Sequence, residues 1–298
     1  MSTVLEINSL SKNYGQIQAL KNVSFSVPAG TVYGILGPNG SGKTTMLGII
    51  MDVLRATSGS IHLFGHTPTA ADRKKIGTLL ETPNFYHYMS AVDNLKISAA
   101  IKGIVNPDID KVLQQVNLYQ RKDSKFQTYS LGMKQRLAIA ACLLGDPQVM
   151  VFDEPTNGLD PVGIAEIRDL IKRLASQGKT IIMASHLLDE VEKVCTHVAI
   201  LKKGVLIAEG AVDTILVNED IAELGAADMQ QLNTVLQSIP NYTKINPGDN
   251  GKMTIQFPAG TANLASINAF CFERGVVLNH LQVKKKSLES KFIELTNE

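Results

Sequence analysis

Residues 37 to 45 read Gly-Pro-Asn-Gly-Ser-Gly-Lys-Thr-Thr. This is G-x-x-x-x-G-K-[ST], a loop that wraps nucleotide phosphates. Gly37, Gly40 and Gly42 let backbone N–H groups turn inward without Cβ clashes. Pro38, Asn39 and Ser41 fill the positions between them. Lys43 supplies a point charge for the β and γ phosphates, and the Thr44 hydroxyl suits Mg²⁺. Thr45 follows in the same helix-forming text, and the positive end of that helix would point at the same anion. The ligand class is a nucleotide with its magnesium ion.

A second group lies at Val149-Met150-Val151-Phe152-Asp153-Glu154. An apolar strand ends in two adjacent acids. Alternation along a strand gives neighbours different directions. Asp153 at the tip can hold Mg²⁺ through water, while Glu154 can orient or deprotonate a water aimed at the γ phosphate. Taken alone, the pair is a surface turn after a strand. The phosphate loop upstream gives it a use.

These groups need elements to position them. Thr31–Leu36 is apolar and β-prone, and Thr44–Ile50 can be helical, so the loop sits between strand and helix. Further strands are expected at Val4–Ile7, Val23–Val27, Gly59–Phe64 and Lys75–Leu80, then at Gln148–Phe152, Thr180–Ala184, Val198–Leu201 and Val205–Ala208. Val92–Leu144 is mostly helical in pattern, and Val162–Ser176 and Leu187–Val194 are helices. Strands alternating with helices imply an α/β fold with a mainly parallel sheet covered on both faces. Beyond about Ala211 the order is strand Ile221–Leu224, helix Met229–Ser238, strands Tyr242–Ile245 and Met253–Phe257, helix Leu264–Arg274, strand Val276–Val283 and helix Leu288–Leu295. The turn Asn246–Gly251 joins the middle strands. That order reads as a small α+β, ferredoxin-like split βαβ module.

Composition sets limits. A chain of 298 residues with 44% hydrophobic content can bury one large domain and a smaller one. Lys+Arg 29 against Asp+Glu 28 is balanced, so the total charge demands no nucleic acid. The run Lys284-Lys285-Lys286 reads as a solvated face rather than a lipid contact. Cys142, Cys195 and Cys271 are far apart, form no C-x-x-C pair and fit a reducing compartment. The N-terminus has no basic-then-apolar signal segment. The longest apolar run, Leu137–Leu144, falls short of the roughly 20 residues a bilayer requires. A polypeptide soluble by itself is expected, with any membrane role acting through a partner.

With the two groups goes a third segment, Ser130-Leu131-Gly132-Met133-Lys134-Gln135-Arg136. Together they resemble the nucleotide-binding subunit of an ATP-binding-cassette (ABC) transporter, over roughly residues 3 to 215. The third segment is similar to that family's signature motif, with Leu131 and Met133 where glycines are usual. The resemblance implies that Ser130 and the amides from Gly132 onward bind the γ phosphate held by the opposite subunit. Ser130 is also a good helix N-cap on its own chemistry. Asn157-Gly158-Leu159-Asp160-Pro161 resembles the loop coupling the two sites across the dimer, with Asp160 its key acid. His186, in Ala184-Ser185-His186, resembles the switch histidine that hydrogen-bonds the γ phosphate. Tyr14, in Lys12-Asn13-Tyr14-Gly15, resembles the aromatic that stacks on adenine.

One position departs from the family. Gly77-Thr78-Leu79-Leu80-Glu81-Thr82-Pro83 resembles the loop in which most relatives place a glutamine that reaches Mg²⁺ and the attacking water. Glu81 keeps the oxygen but adds a negative charge, worth roughly 3 kcal/mol at 5 Å and an effective dielectric near 20. A glutamate here is similar to the subgroup exporting bacitracin or conferring lantibiotic self-immunity. Ser287–Thr296 resembles the tail of many drug- and peptide-exporter subunits.

The resemblance implies a P-loop NTPase fold: a mainly parallel sheet core, an N-terminal antiparallel β subdomain and a helical signature subdomain at about residues 90–145. This ATPase domain would span residues 1–215, and the accessory module residues 216–298. The implied activity is Mg-dependent ATP hydrolysis powering export of a small molecule or antimicrobial peptide. Glu154, His186 and Glu81 would be catalytic. Thr44, Asp153 and Glu81 would hold the metal. Implied partners are a polytopic membrane permease and a second copy of this chain or a related ATPase subunit. The location would be the cytoplasmic face of the membrane. The same ATPase module also serves in nucleic-acid mechanoenzymes, but those insert a long coiled coil between loop and signature. Lys43 to Ser130 carries no sustained heptads. A small-molecule P-loop kinase would lack the signature, Asp160 and His186.

Overall fold

In the computed structural model the residues described are 2–80, 84–216, 219–248, 251–258, 260–284 and 288–297. They fall into two units, Met1–Val212 and Asp213–Glu298.

The first unit begins with β1 (Thr3–Tyr14), β2 (Ile17–Pro28) and β3 (Val32–Leu36), then α1 (Lys43–Ile50) and β4 (Ser58–Leu63). There follow α2 (Ala70–Lys74), β5 (Ile76–Leu79), α3 (Ala91–Lys102), α4 (Ile109–Gln115) and α5 (Leu131–Leu143). It closes with β6 (Val149–Asp153), α6 (Pro161–Ser176), β7 (Thr180–Ser185), α7 (Leu188–Val194), β8 (His197–Lys202) and β9 (Val205–Ala211). The central sheet runs β5-β6-β7-β3-β8-β9. Its first five strands are parallel, and β9 is antiparallel to β8. Every residue of β3, β6 and β7 is buried, as uninterrupted apolar strands covered on both faces should be.

Register matters more than composition here. Asp153 of β6 pairs with Ala184 of β7, and Leu36 of β3 pairs with Ser185. Three strand ends from distant sequence therefore lie level. The chain leaving each one carries Gly37, Glu154 or His186.

A second sheet, β2-β1-β4, is antiparallel. Its first strand runs well past the expected Val4–Ile7. Ser9 has φ 51 and the pairing shifts between Ile7 and Leu10. That irregularity breaks the alternation by which a strand's length is read. The helical stretch divides into α3, α4 and α5. Gly103, at φ 71, caps α3 in the left-handed conformation. The short α2 was not anticipated; a reciprocal Thr69–Asp72 capping box starts it, and five residues give little periodicity.

The second unit comprises α8 (Val212–Leu216), β10 (Glu219–Ala226), α9 (Met229–Leu236), β11 (Lys244–Pro247) and β12 (Met253–Pro258), then α10 (Leu264–Phe272), β13 (Leu278–Lys284) and α11 (Leu288–Asn297). Its sheet order is β11-β12-β10-β13, antiparallel throughout. From β10 to β13 the elements run strand, helix, strand, strand, helix, strand. Each helix connects strands separated by one other, which is the split βαβ arrangement. Ala222, Leu224, Ile255 and Phe257 form its core with Leu232, Leu236 and Ile267 from α9 and α10. β11 starts two residues later than expected and includes Pro247, tolerated on an edge strand. Asp249 and Asn250 of the expected turn, Lys285 and Lys286 of the basic run, and Ser287 lie outside the described residues. Among the described residues no helix is long and apolar enough to cross a membrane.

Candidate nucleotide site

The loop 37–42 rises from the buried end of β3 and turns into α1. Gly42 is the helix N-cap at φ 105, a conformation that side chains resist. It has no room for one either: a Cβ would lie 2.7 Å from the Ala19 carbonyl oxygen and from Leu20 Cδ2. At Gly37 a Cβ would collide with the Leu201 carbonyl oxygen and meet Ser41 Oγ at 2.5 Å. The loop is backed by the start of β2 and by the β8–β9 turn, where Gly204 N donates to Ser41 O at 3.1 Å. Sequence reading missed these backing residues. They act through backbone atoms, which leave no residue-type signal beyond Gly204 itself.

The loop fits an anion. α1 has neither a side-chain cap nor an acid in its first turn, so its leading N–H groups face outward uncapped. Lys43 is 6% exposed. Its Nζ donates to the Gly37 carbonyl at 2.8 Å and the Pro38 carbonyl at 3.4 Å. The buried Ser41 Oγ has no hydrogen-bond partner among the described residues. Pro38, Asn39, Gly40 and Thr44 are exposed, and Thr45 is half-buried. Thr44 and the buried Asp153 are oxygen donors, suited to a Mg²⁺ that takes the rest of its shell from phosphate and water.

Glu154 is the first residue past β6. It sits at φ 49, an uncommon conformation for a non-glycine residue, with its N–H fixed to Ala184 O at 3.0 Å. The carboxylate is thereby turned toward two other groups. Oε1 is 3.5 Å from Lys43 Nζ, and Oε2 is 2.8 Å from His186 Nδ1. The His186 N–H also donates to Oε2 at 3.4 Å. Lys43, Glu154 and His186, from three separate segments, thus converge. Such a carboxylate can take a proton from water while its neighbours fix its orientation.

Ser130 and Asp160 form a second focus. Ser130 caps α5, accepting from Met133 N at 3.3 Å, and Asp160 caps α6, accepting from Gly163 N at 2.9 Å. Their helix starts come close: a Cβ on Gly132 would be 4.0 Å from Gly163 Cα. Both line a cavity of about 490 Å³ with Leu131, Arg136 and Glu166. No residue of the 37–45 loop lines it.

Tyr14, at the β1–β2 hairpin, is 46% exposed with Lys12 Nζ 4.9 Å from its ring centroid. The strand returning from that hairpin supplies Ala19 and Leu20 behind the loop. Glu81 lies outside the described residues. Sequence reading also missed Asn94, whose buried amide clamps the chain after Glu81: Oδ1 accepts from Tyr86 N at 2.8 Å, and Nδ2 donates to the Tyr86 and Ser90 carbonyls at 3.1 and 2.9 Å.

Comparison with known proteins decides the family. A family model described as ABC transporter matches residues 20–157. The bacitracin transport ATP-binding protein BcrA of Enterococcus faecalis is 33% identical over 305 residues, covering 99% of this chain and 97% of that protein. The chain belongs to the ATP-binding proteins of ABC transporters. The lantibiotic transport ATP-binding protein SrtF of Streptococcus pyogenes is 39% identical over 221 residues, covering 74% of this chain and 95% of SrtF. Among solved structures, a dimeric post-hydrolysis state of the ATP-binding cassette MJ0796 bound to ADP and Pi superposes with a TM-score of 0.62. That match is 26% identical and covers 70% of this chain and 98% of the cassette. As an ABC ATPase, the protein binds ATP and hydrolyses it to drive transport.

Proposed function

We propose that this chain is the ATPase of an exporter for antimicrobial peptides of the bacitracin or lantibiotic kind, and that Glu154 is its catalytic base. The observation that carries the catalytic reading is the meeting of Lys43, Glu154 and His186 at one group of strand ends. Lys43 moves its charge from Glu154 to the β and γ phosphates when nucleotide enters the loop. Glu154 then accepts a proton from the water that attacks the γ phosphorus, and the bond to the ADP oxygen breaks. His186 holds the carboxylate through Nδ1 and offers its other ring nitrogen to the γ phosphate. Mg²⁺, held by Thr44 and Asp153, would neutralise charge building on the phosphate oxygens. Glu81 would add a negatively charged oxygen near that ion. Tyr14 would stack on adenine.

Ser130, Gly132 and Asp160 serve the nucleotide of a second subunit. The cavity beneath Ser130 has the helix-capped geometry of an anion site but no phosphate loop of its own. Two chains, identical or related, meeting head to tail would complete both sites, as suits a relative seen as a dimer. A membrane permease would dock on the exposed Tyr86, Tyr88 and Ile101, of which Tyr86 and Ile101 line a cavity of about 320 Å³. Asn94 fixes that docking segment through Tyr86 and Ser90. The protein would then sit at the cytoplasmic face of the membrane through its permease. The antimicrobial-peptide reading is supported by the names of BcrA and SrtF and by Glu81.

Glu154→Gln tests the catalysis. Removing the base should lower kcat by roughly 10²–10⁴-fold, with ATP affinity kept and a dimer trapped under Mg-ATP in sedimentation. A variant that still turns over, or that stays monomeric with ATP, overturns the reading. Co-expression with a candidate permease should raise the bacitracin or lantibiotic concentration that a sensitive host tolerates, and Glu154→Gln should abolish the gain.

A further inference from the structure

A cavity of about 480 Å³ lies at the opposite end of the central sheet from the phosphate loop. It is framed by the residues that enter β5 and β6, not by those that leave them. Its apolar walls are Phe64, Ile76, Ile104, Leu144 and Pro147. Volume and lining suit a small organic molecule.

Two observations say what kind. The first is Phe64. Leu63–His66 is a two-residue turn closed by bonds in both directions, with Phe64 at φ 54 and Gly65 at φ 82. Positive φ at both central positions marks a type I′ turn, in which the first place favours asparagine or glycine. Phenylalanine there is strained, yet its ring faces the cavity and stays 37% exposed. The second is charge. Asp72 accepts from the Thr69 hydroxyl at 2.6 Å and lies 3.4 Å from Lys75 and 3.8 Å from His66. Asp146 is paired with Lys179 at 2.7 Å. Both lining acids are thus matched. Lys74 lines the same cavity and has no ion pair among the described residues. A cavity with an aromatic wall and an unmatched ammonium in its lining selects a flat apolar body bearing an anionic group.

We infer that this cavity is a binding site for an amphipathic aromatic anion, with the body against Phe64, Ile104 and Leu144 and the charge at Lys74. The site also touches the signature helix. Leu144 is the C-cap of α5, whose N-cap is Ser130. A thirteen-residue helix spans about 20 Å, so an occupant bears on one end of the helix whose other end faces the second cavity.

The test uses the full chain, saturated with Mg-ADP to fill the phosphate loop, and the fluorescent probe 8-anilinonaphthalene-1-sulfonate. Saturable binding near one probe per chain is expected. Lys74→Glu should weaken it by about tenfold or more, since attraction becomes repulsion. Ile104→Trp should fill the cavity and abolish binding. The neutral congener N-phenyl-1-naphthylamine should bind wild type and Lys74→Glu alike. ATPase rate and circular dichroism should match wild type in both variants, and Lys74 is exposed, so its replacement does not threaten the fold. No saturable binding, or titrations of wild type and Lys74→Glu that superimpose, would overturn the site.

Discussion

Each of the two units holds a glutamate within ion-pair reach of one lysine and one histidine. In the first, Glu154 meets Lys43 at 3.5 Å and His186 at 2.8 Å. In the second, Glu223 meets Lys252 and His280, each at 2.9 Å. The residue types are the same, but the placement is not. Glu154 stands beyond a strand end at φ 49, 20% exposed, among loops that leave parallel strands. Ligands of open α/β sheets gather at such carboxyl ends. Glu223 lies within β10, opposite Thr254 on one neighbour and Gln282 on the other, and is 4% exposed. Lys252 and His280 hold it inside a continuous ladder. The lesson is that topology, not the chemical trio, separates a reaction centre from a structural clamp.

The sharpest way to break this comparison is to make one change in both places. Glu154→Gln should cost roughly 10²–10⁴-fold in kcat while leaving the unfolding midpoint near wild type. Glu223→Gln should do the reverse. Breaking a buried ionic group strands its partners, here about 2–3 kcal/mol because Lys252 and His280 keep part of their hydration. Urea unfolding should show the loss, and kcat should stay within about twofold because chemistry is elsewhere. If Glu223→Gln instead slowed hydrolysis without destabilising the protein, the second trio would not be a clamp.

A smaller effect sharpens the backing of the phosphate loop. Gly37→Ala places a methyl against the Leu201 carbonyl and Ser41 Oγ. Overpacking of this kind costs about 1–3 kcal/mol, so ATP affinity should fall roughly five- to hundredfold. Equilibrium titration would measure it. An affinity equal to wild type would show that the end of β8 yields and does not define the loop.

Much of the first unit was legible because its chemistry is written in residue types at short spacing. Gly37 to Thr45, Asp153-Glu154 and Ser130-Leu131-Gly132 each occupy one segment, and uninterrupted apolar runs marked β3, β6 and β7. Lys43 and Glu154 were both assigned to the γ phosphate from their chemistry, but His186 joined them only by resemblance, since strand register is a long-range property. Glu154's left-handed backbone left no trace in composition, and neither did the bulge near Ser9. In the second unit the order of elements sufficed for the split βαβ arrangement, but Glu223 looked like any strand residue. It is paired with Lys252, just before β12, and with His280 of β13.

A third carboxylate stands between the two extremes, and its effect should be the smallest. Asp72 belongs to the catalytic unit, yet its work is structural. Its carboxyl is held down at about 2, first by the Thr69 hydroxyl and then by the Thr69 backbone N–H, with Lys75 and His66 assisting. A carboxyl whose folded value lies below its ordinary one stabilises the fold when ionised. That contribution is present above the ordinary value of 3.8 and is lost as pH falls from there toward 2. Thr69→Ala removes the first donor and the cap of α2, and a lost cap should lower the melting temperature by about 2–4 °C at pH 7. Asp72 then titrates nearer its ordinary value, so wild type and variant converge on acidification. Melting curves at pH 7, 5 and 3.5 should show the gap narrowing only in the last step. A gap constant across all three would mean that the hydroxyl caps the helix without tuning the acid.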